Sequence, residues 1–120
     1  MLSILTLGVI LFCVIMGCLA LVAPERVSAV FETPTLTVAG RNEIRAVYGG
    51  FGIAIAAMLG WGLTQPALRT GIFLTVGASF AGMAMGRVVS ATIERPNRFY
   101  PSWFYGALEL AMACTLWFAS

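Results

Sequence analysis

Four long apolar stretches dominate the sequence, and the polar side chains collect in three shorter segments between them. A transmembrane helix needs about 20 predominantly apolar residues, so the pattern predicts that each stretch is such a helix. The strict alternation of apolar and polar side chains that is typical of a membrane barrel strand does not occur in them. The predicted spans are residues 2–23, 46–63, 71–93 and 102–119.

The composition supports a membrane location for the whole chain. Hydrophobic residues make up 60% of the 120 positions and charged residues only 10%, and the mean hydropathy is +0.94. Soluble chains carry about 25% charged residues, so a soluble fold of this length would lack the polar side chains to cover its surface. We therefore expect one membrane domain over residues 1–120, an all-α integral membrane four-helix bundle.

Two alternative interpretations treat the first stretch as a segment that is cleaved from the mature protein. It is N-terminal and apolar like a secretory signal, but it has no basic start, and its uncharged run is longer than the usual signal core. Residues 15–18 are loosely similar to a lipoprotein cleavage site ending in Cys18. Because the basic start is missing, the first stretch is interpreted as a retained membrane span.

The residue inventory excludes several classes of function. The chain has no His, Lys or Asp, so it lacks the commonest metal and haem ligand and the most frequent general base. We expect no enzyme activity, no metal and no cofactor, and a lipid-directed enzyme using Glu43 or Glu109 is the weakest alternative because no nucleophile and base pair exists. The net charge of +2 with dispersed arginines gives no basic stripe for nucleic acid.

Aromatic residues near the ends of the spans predict where the membrane surfaces lie. Trp103 and Tyr105 begin the fourth span, and we expect them at one interface with Trp61 and Trp117 at the opposite one. The connection 24–45 is predicted to be an interfacial loop, with apolar side chains on the headgroup surface at Val30, Phe31, Leu36 and Val38. The connection 64–70 is predicted to be a tight turn.

The arginine distribution predicts an orientation. The first and third connections contain five arginines, counted with Arg45, whereas the second contains Arg69 alone. The positive-inside rule then places the first and third connections in the cytoplasm of a bacterial inner membrane.

Two charged residues interrupt otherwise apolar spans at matching depth. Arg87 lies six residues before the end of its span, about 9 Å below the interface, and Glu109 lies about 10 Å below the same interface. A charge in hydrocarbon costs at least about 2.5 kcal/mol, so we expect the two side chains to pair. The predicted polar cluster in this leaflet comprises Asn42, Glu43, Arg45, Tyr48, Arg87, Ser90 and Glu109.

Three interpretations of that cluster are open. The preferred one is an ion pair that fixes the rotation and register of the helices. In the second, the cluster lines a pocket for a lipid headgroup, a proton or a small solute. In the third, Arg87 extends to the interface and never meets Glu109.

Small residues recur every fourth position on the two middle spans and predict where helices pack closely. Packing within the bundle is favoured over homodimerisation, because a four-helix chain supplies its own partners. The predicted packing residues are Gly49, Gly52, Ala56 and Gly60 on the second span, and Ala78, Gly82 and Gly86, followed by Ser90, on the third.

The run Asn-Glu-Ile-Arg-Ala-Val-Tyr-Gly-Gly at residues 42–50 carries a resemblance, together with Gly86-Arg87-Val-Val-Ser90 and the late Glu109. The chain resembles a family of small bacterial membrane proteins with four predicted helices and no assigned function. The resemblance extends over nearly the whole chain and implies that Asn42, Glu43, Arg45, Tyr48, Arg87 and Glu109 form a family signature.

The first part of that motif also has a physical reading. Asn42 is expected to cap the second helix, and Glu43 to lie at the positive end of the helix dipole. Arg45 and Tyr48 share a face with Gly49 and Gly52, so a neighbouring helix or an anionic headgroup could approach there.

Two functions from different classes follow. The first is a structural or accessory subunit that associates with lipids or with a larger membrane assembly, such as a respiratory or photosynthetic complex. The alternative is a small oligomeric transporter or proton-coupled permease that uses the Arg87–Glu109 pair.

Overall fold

A computed structural model of the protein describes residues 1–34 and 37–120. All regular secondary structure among these residues is helical, with no strand, which confirms the all-α fold class. The helices are α1 (Leu2–Val22), α2 (Pro24–Val30), α3 (Val38–Ile44), α4 (Phe51–Thr64), α5 (Pro66–Ile93) and α6 (Ser102–Ala119), with a π-helical turn at Arg45–Gly50 that joins α3 to α4.

Three helical segments are long and apolar enough to cross a membrane: Leu2–Val22, Val38–Thr64 and Pro66–Ile93. The fourth predicted span forms α6 but is not one of these three. Glu109 and the polar edges of the aromatic residues at its start lower its hydropathy. The structure therefore has three candidate spans among its described residues, and the four-helix bundle remains a prediction.

The first connection is more ordered than the interfacial loop that we expect. Pro24, at the first position of α2, already has the backbone angle that a helix requires. Thr37 caps α3 by accepting a hydrogen bond from the Gly40 N–H at 3.0 Å. The second span thus begins eight residues before the predicted 46. Of the predicted surface residues, Val38 is exposed, and Leu36 lies outside the described residues.

The second connection is shorter than predicted. Gln65 alone separates α4 from α5, and Pro66 begins α5. Arg69 is therefore a residue of the first turns of α5, not of a turn over 64–70 as expected. A proline at the first position of a helix loses no intrahelical hydrogen bond, which explains how the chain re-enters a helix at once.

The chain divides into two compact units, each described by itself. The N-terminal unit is Leu7–Trp61, and the C-terminal unit is Met1–Thr6 with Gly62–Ser120. In the N-terminal unit, α1 and α4 meet where a Cβ on Gly52 would stand 3.3 Å from the Cys13 carbonyl oxygen. In the C-terminal unit, α5 and α6 pack through buried side chains at Phe73, Val76, Phe80, Met112 and Leu116. The single domain expected from composition stays a prediction.

Candidate functional site

Arg87 of α5 and Glu109 of α6 form a two-pronged ion pair in the C-terminal unit. Arg87 Nε donates to Glu109 Oε2 at 2.8 Å, and Nη2 donates to Oε1 at 2.7 Å. The Glu109 side chain is 5% exposed and that of Arg87 is 24% exposed. The structure therefore brings together the two charges that depth matching pairs. Both carboxylate oxygens are engaged, and the short parallel bonds are of the strong charge-assisted kind.

Two further residues shape this pair and were missed in the sequence. A Cβ on Gly106 would stand 3.3 Å from Arg87 Cδ, so the glycine leaves room for the arginine stem to cross towards α6. The Arg87 guanidinium carbon also lies 5.9 Å from the centre of the Tyr105 ring, within cation–π range. Gly106 precedes Glu109 by one helical turn, and that spacing is the only sequence signal for its role.

Ser90, the third predicted cluster member on this unit, takes no part in the pair. Its side chain is exposed on α5, and its carbonyl accepts the Glu94 N–H at 2.8 Å at the end of the helix. Ser90 follows Arg87 by three residues and so lies on the same side of α5, but both Glu109 oxygens are bonded to Arg87, and a wider cluster that includes Ser90 stays a prediction.

A groove of about 850 Å³ runs along α5 and α6 beside the pair. Small residues line it, including Ala84, Gly106 and Ala107, together with Trp103 and Trp117 from the first and last turns of α6. Arg87 forms part of one wall, and Phe99 from the connection before α6 closes another part. The lining is therefore almost entirely apolar apart from a guanidinium that Glu109 already neutralises.

The other four predicted cluster residues belong to the N-terminal unit. Asn42 and Glu43 are exposed in the interior of α3. The expected cap at Asn42 is wrong, because Thr37 caps this helix five residues earlier. Glu43 is likewise beyond the first turn, where the helix dipole acts most strongly.

Arg45 and Tyr48 lie in the π-helical turn of the same unit. Arg45 Nε donates to the Leu21 carbonyl in the last turn of α1 at 3.1 Å, a carbonyl that has no partner within its own helix. The Tyr48 ring stacks on that of Phe31 with 5.9 Å between centroids. The predicted close approach on this face is made by α1, because a Cβ on Gly49 would stand 2.8 Å from the Leu21 side chain.

The π-helical turn itself was not predicted. The Phe51 N–H bonds to the Ala46 carbonyl five residues back, not to the one four residues back. Single π turns are rare and often occur at functional sites. Here the turn covers Arg-Ala-Val-Tyr-Gly-Gly of the motif, and its two glycines give the only local sequence sign of an irregular helix.

Arg69 has a role like that of Arg45, which the sequence reading also missed. Its Nε donates to the Gly62 carbonyl at 3.2 Å and its Nη2 to the Leu63 carbonyl at 3.0 Å. These carbonyls lie in the last turn of α4, where intrahelical donors are lacking. Arg69 is thus a helix-terminating side chain and not a free headgroup contact.

The two predicted small-residue faces differ in the structure. On the second span Gly49, Gly52 and the buried Ala56 pack as expected, whereas a Cβ on Gly60 would have open space. On the third span the face is exposed: beyond the backbone of α5 itself, no described atom would lie within 4 Å of a Cβ on Gly82 or Gly86. The close contact on α5 is at Gly77, where a Cβ would stand 2.6 Å from Trp117 Nε1.

The exposed face on α5 corrects the expectation that small residues there pack within the chain. Helix rotation is decided by the large buried side chains Phe73, Val76 and Phe80, and these turn the small residues outward. We call this surface the small face of α5; it comprises Ala78, Gly82, Gly86 and Ser90, all exposed.

The predicted aromatic anchors lie near helix ends. Trp61 is in the last turn of α4, Trp103 is in the first turn of α6, and Trp117 is in its last turn. All three tryptophans are exposed by a third or more, and Tyr105 packs edge to face on Phe104 at 5.2 Å. Where they lie relative to a membrane remains a prediction.

Metal-binding groups of three or more Cys or Glu side chains do not occur among the described residues. The three cysteines are free, with Cys13 buried, Cys114 partly buried and Cys18 exposed.

Comparison with known proteins adds one finding. Neither the curated proteins nor the solved structures contain a match to this chain. The family model described as a domain of unknown function (DUF4345) matches residues 1–120, the whole chain. The protein therefore belongs to the DUF4345 family, whose function is unassigned.

Proposed function

We propose that the protein is a structural or accessory subunit of the bacterial inner membrane that crosses the bilayer four times. In this proposal it associates with lipids and with a larger membrane complex of the respiratory or photosynthetic kind. The observation that carries the structural role is the closed Arg87–Glu109 pair.

A closed pair suits a structural role better than a transport role. A site that passes a proton or a solute needs a polar group that water or the solute can reach. Glu109 offers little of this, because Arg87 occupies both of its oxygens and its side chain is 5% exposed. A satisfied ion pair of this kind holds two helices at one rotation and one register.

The same pair supports α6 as the fourth crossing. An unpaired acidic residue at the centre of a membrane helix costs about 2.5 to 3.5 kcal/mol, enough to make α6 a poor span by itself. Pairing with Arg87 on the neighbouring helix offsets that cost. Since α5 and α6 already pack together in the C-terminal unit, the two helices are suited to enter the bilayer as a hairpin.

The small face of α5 supports association with another membrane helix. Membrane helices approach closely where small residues recur at a spacing of four, and here Gly82 and Gly86 have open space. This face supports the accessory role because a partner helix would bury backbone atoms that lipid tails cover less closely.

Photocrosslinking in cells tests this proposal. A benzophenone amino acid is placed at Gly82 on the small face, and a control carries it at Val88, which is exposed on α5 and lines the groove instead of the small face. We expect one discrete adduct from position 82, none from position 88, and loss of the adduct when Gly86→Leu is added. The chain alone has a mass of 12.8 kDa, so the size of the adduct reports the partner.

Three outcomes contradict the accessory role. Equal adduct yields from the small-face position and the control position would mean that the small face contacts only lipid and has no specific protein partner. An adduct of twice the mass of the chain would identify a homodimer. If the protein is isolated as a fully stable monomer in mild detergent and forms no adduct, the proposed partner has no support.

The transport alternative keeps a separate test. Purified protein in liposomes is expected to show no proton or solute flux. A flux that Glu109→Gln abolishes while the protein stays folded would favour the permease over the structural subunit.

A further inference from the structure

The groove between α5 and α6 has the dimensions of a site for a long thin chain. Trp103 and Trp117 lie 14 positions apart on α6, about 21 Å at 1.5 Å per residue, and the groove between them holds about 850 Å³. One half of a bilayer's hydrocarbon core is about 15 Å thick. The groove is therefore long enough for one lipid tail from its leaflet.

The lining determines which kind of chain fits. Ala84 and Ala107 have small side chains, so they leave space in the groove. The aliphatic stem of Arg87 lies against Gly106. The charge of Arg87 is neutralised by Glu109, and its guanidinium lies near the Tyr105 ring. A tail in the groove would therefore meet methyl groups and aromatic rings and no unpaired charge.

The end of the groove at Phe99 supplies the charge for a headgroup. Phe99 lines the groove, and Arg98 precedes it directly in a connection that also contains Arg95 and one acidic residue, Glu94. Both arginines are exposed, so the connection carries a net positive charge beside the groove. With Glu94 offsetting one arginine, the connection keeps one net positive charge, and one such charge near a membrane surface strengthens binding to anionic lipid about fivefold.

We propose that this groove binds one anionic phospholipid, with an acyl tail between Trp103 and Trp117 and the phosphate beside Arg95 and Arg98. The inference rests on the proposed membrane location and goes beyond it. It assigns one lipid to a defined binding site, whereas the rest of the membrane-facing surface contacts any lipid. Charge complementarity favours phosphatidylglycerol over phosphatidylcholine.

Tryptophan quenching by brominated lipids tests the site. The full-length Trp61→Phe variant, which keeps Trp103 and Trp117 at the groove, is reconstituted in bilayers that contain brominated phosphatidylglycerol or brominated phosphatidylcholine. We expect the quenching curves to give an association constant about fivefold higher for the anionic lipid, and Arg95→Gln to lower that preference.

A pair of matched variants places the lipid in the groove. Ala107→Phe fills the lining and is expected to abolish the preference, whereas Ala111→Phe, on an exposed position of α6 outside the groove, is expected to retain it. Equal quenching by the two lipids, or a preference that survives Ala107→Phe, overturns the site while leaving the membrane location intact. Absence of quenching by either lipid overturns both the site and the proposed membrane location.

Discussion

At the scale of single residues, the Arg87–Glu109 pair has an energetic effect that depends on which partner is removed. Arg87→Met would leave a nearly buried carboxylate without its cation, which destabilises proteins by about 3 to 5 kcal/mol. The double variant Arg87→Met/Glu109→Leu removes both charges and is expected within about 1 kcal/mol of the native chain. The measurement is the free energy of unfolding in mixed micelles, followed by circular dichroism.

The control for this cycle is Arg26→Met, which removes an exposed arginine of the N-terminal unit. Exposed substitutions of this kind change stability by about 0.5 kcal/mol or less. If the double variant loses as much stability as the single variants Arg87→Met and Glu109→Leu together, the charges are not coupled and the ion pair does not exist in the micelle.

The sequence was sufficient to predict this pair and insufficient to predict what surrounds it. The depth of a residue in the membrane follows from its position along a helix with a fixed rise per residue. Two charges at equal depth can therefore be predicted to pair, because each is costly alone. The positions of Gly106 and Tyr105 beside Arg87 depend on how far α5 and α6 rotate about their axes. That rotation is decided by tertiary packing, which no local pattern in the sequence records.

At the scale of helices, two arginines act by completing the ends of other helices. Arg69 donates two hydrogen bonds to carbonyls at the end of α4, and Arg45 donates one to the end of α1. Hydrogen bonds that involve a charged group contribute about 1.5 to 3 kcal/mol. We expect Arg69→Met to destabilise the protein by about 2 kcal/mol and the more exposed Arg45→Met by about half as much.

Arg41→Met is the matched control for these helix-end variants. Among the described residues the Arg41 side chain forms a long surface ion pair with Glu25 at 3.8 Å, and such pairs contribute between about 0 and 1 kcal/mol. Chemical unfolding in detergent ranks the three variants. An Arg69 variant as stable as the Arg41 variant would show that water or lipid satisfies the α4 carbonyls equally well.

The helices themselves were predicted well in the apolar stretches and poorly between them. Length and hydropathy located α1, α4, α5 and α6 to within five residues, because burial of backbone in hydrocarbon leaves the helix as the default. The helices α2 and α3 follow from capping by Pro24 and Thr37, signals that compete with the polar composition of that segment. The outward rotation of the small face of α5 could not be predicted, since a four-residue spacing does not say which partner it meets.

At the scale of the whole molecule, the arginine contacts change how orientation is counted. The positive-inside rule concerns arginines in the connecting segments close to the membrane. Arg45 and Arg69 are engaged at helix ends and report the membrane side less directly. The remaining arginines outside the predicted spans are Arg26, Arg41, Arg95 and Arg98, all in the first and third predicted connections, so the rule still predicts a cytoplasmic location for these two connections.

Cysteine labelling in intact cells tests that orientation. A membrane-impermeant maleimide added outside the inner membrane is expected to label Gln65→Cys in the second connection and to leave Asn97→Cys in the third unlabelled until the membrane is opened. The native chain is the control, since Cys13, Cys18 and Cys114 lie within predicted spans. Labelling of both positions from outside would mean that α5 does not cross, and labelling of position 97 alone would reverse the orientation. In the expected orientation the groove at Phe99 opens towards the cytoplasmic leaflet, where anionic lipids give the surface its negative potential. The orientation and the proposed lipid site would then support each other.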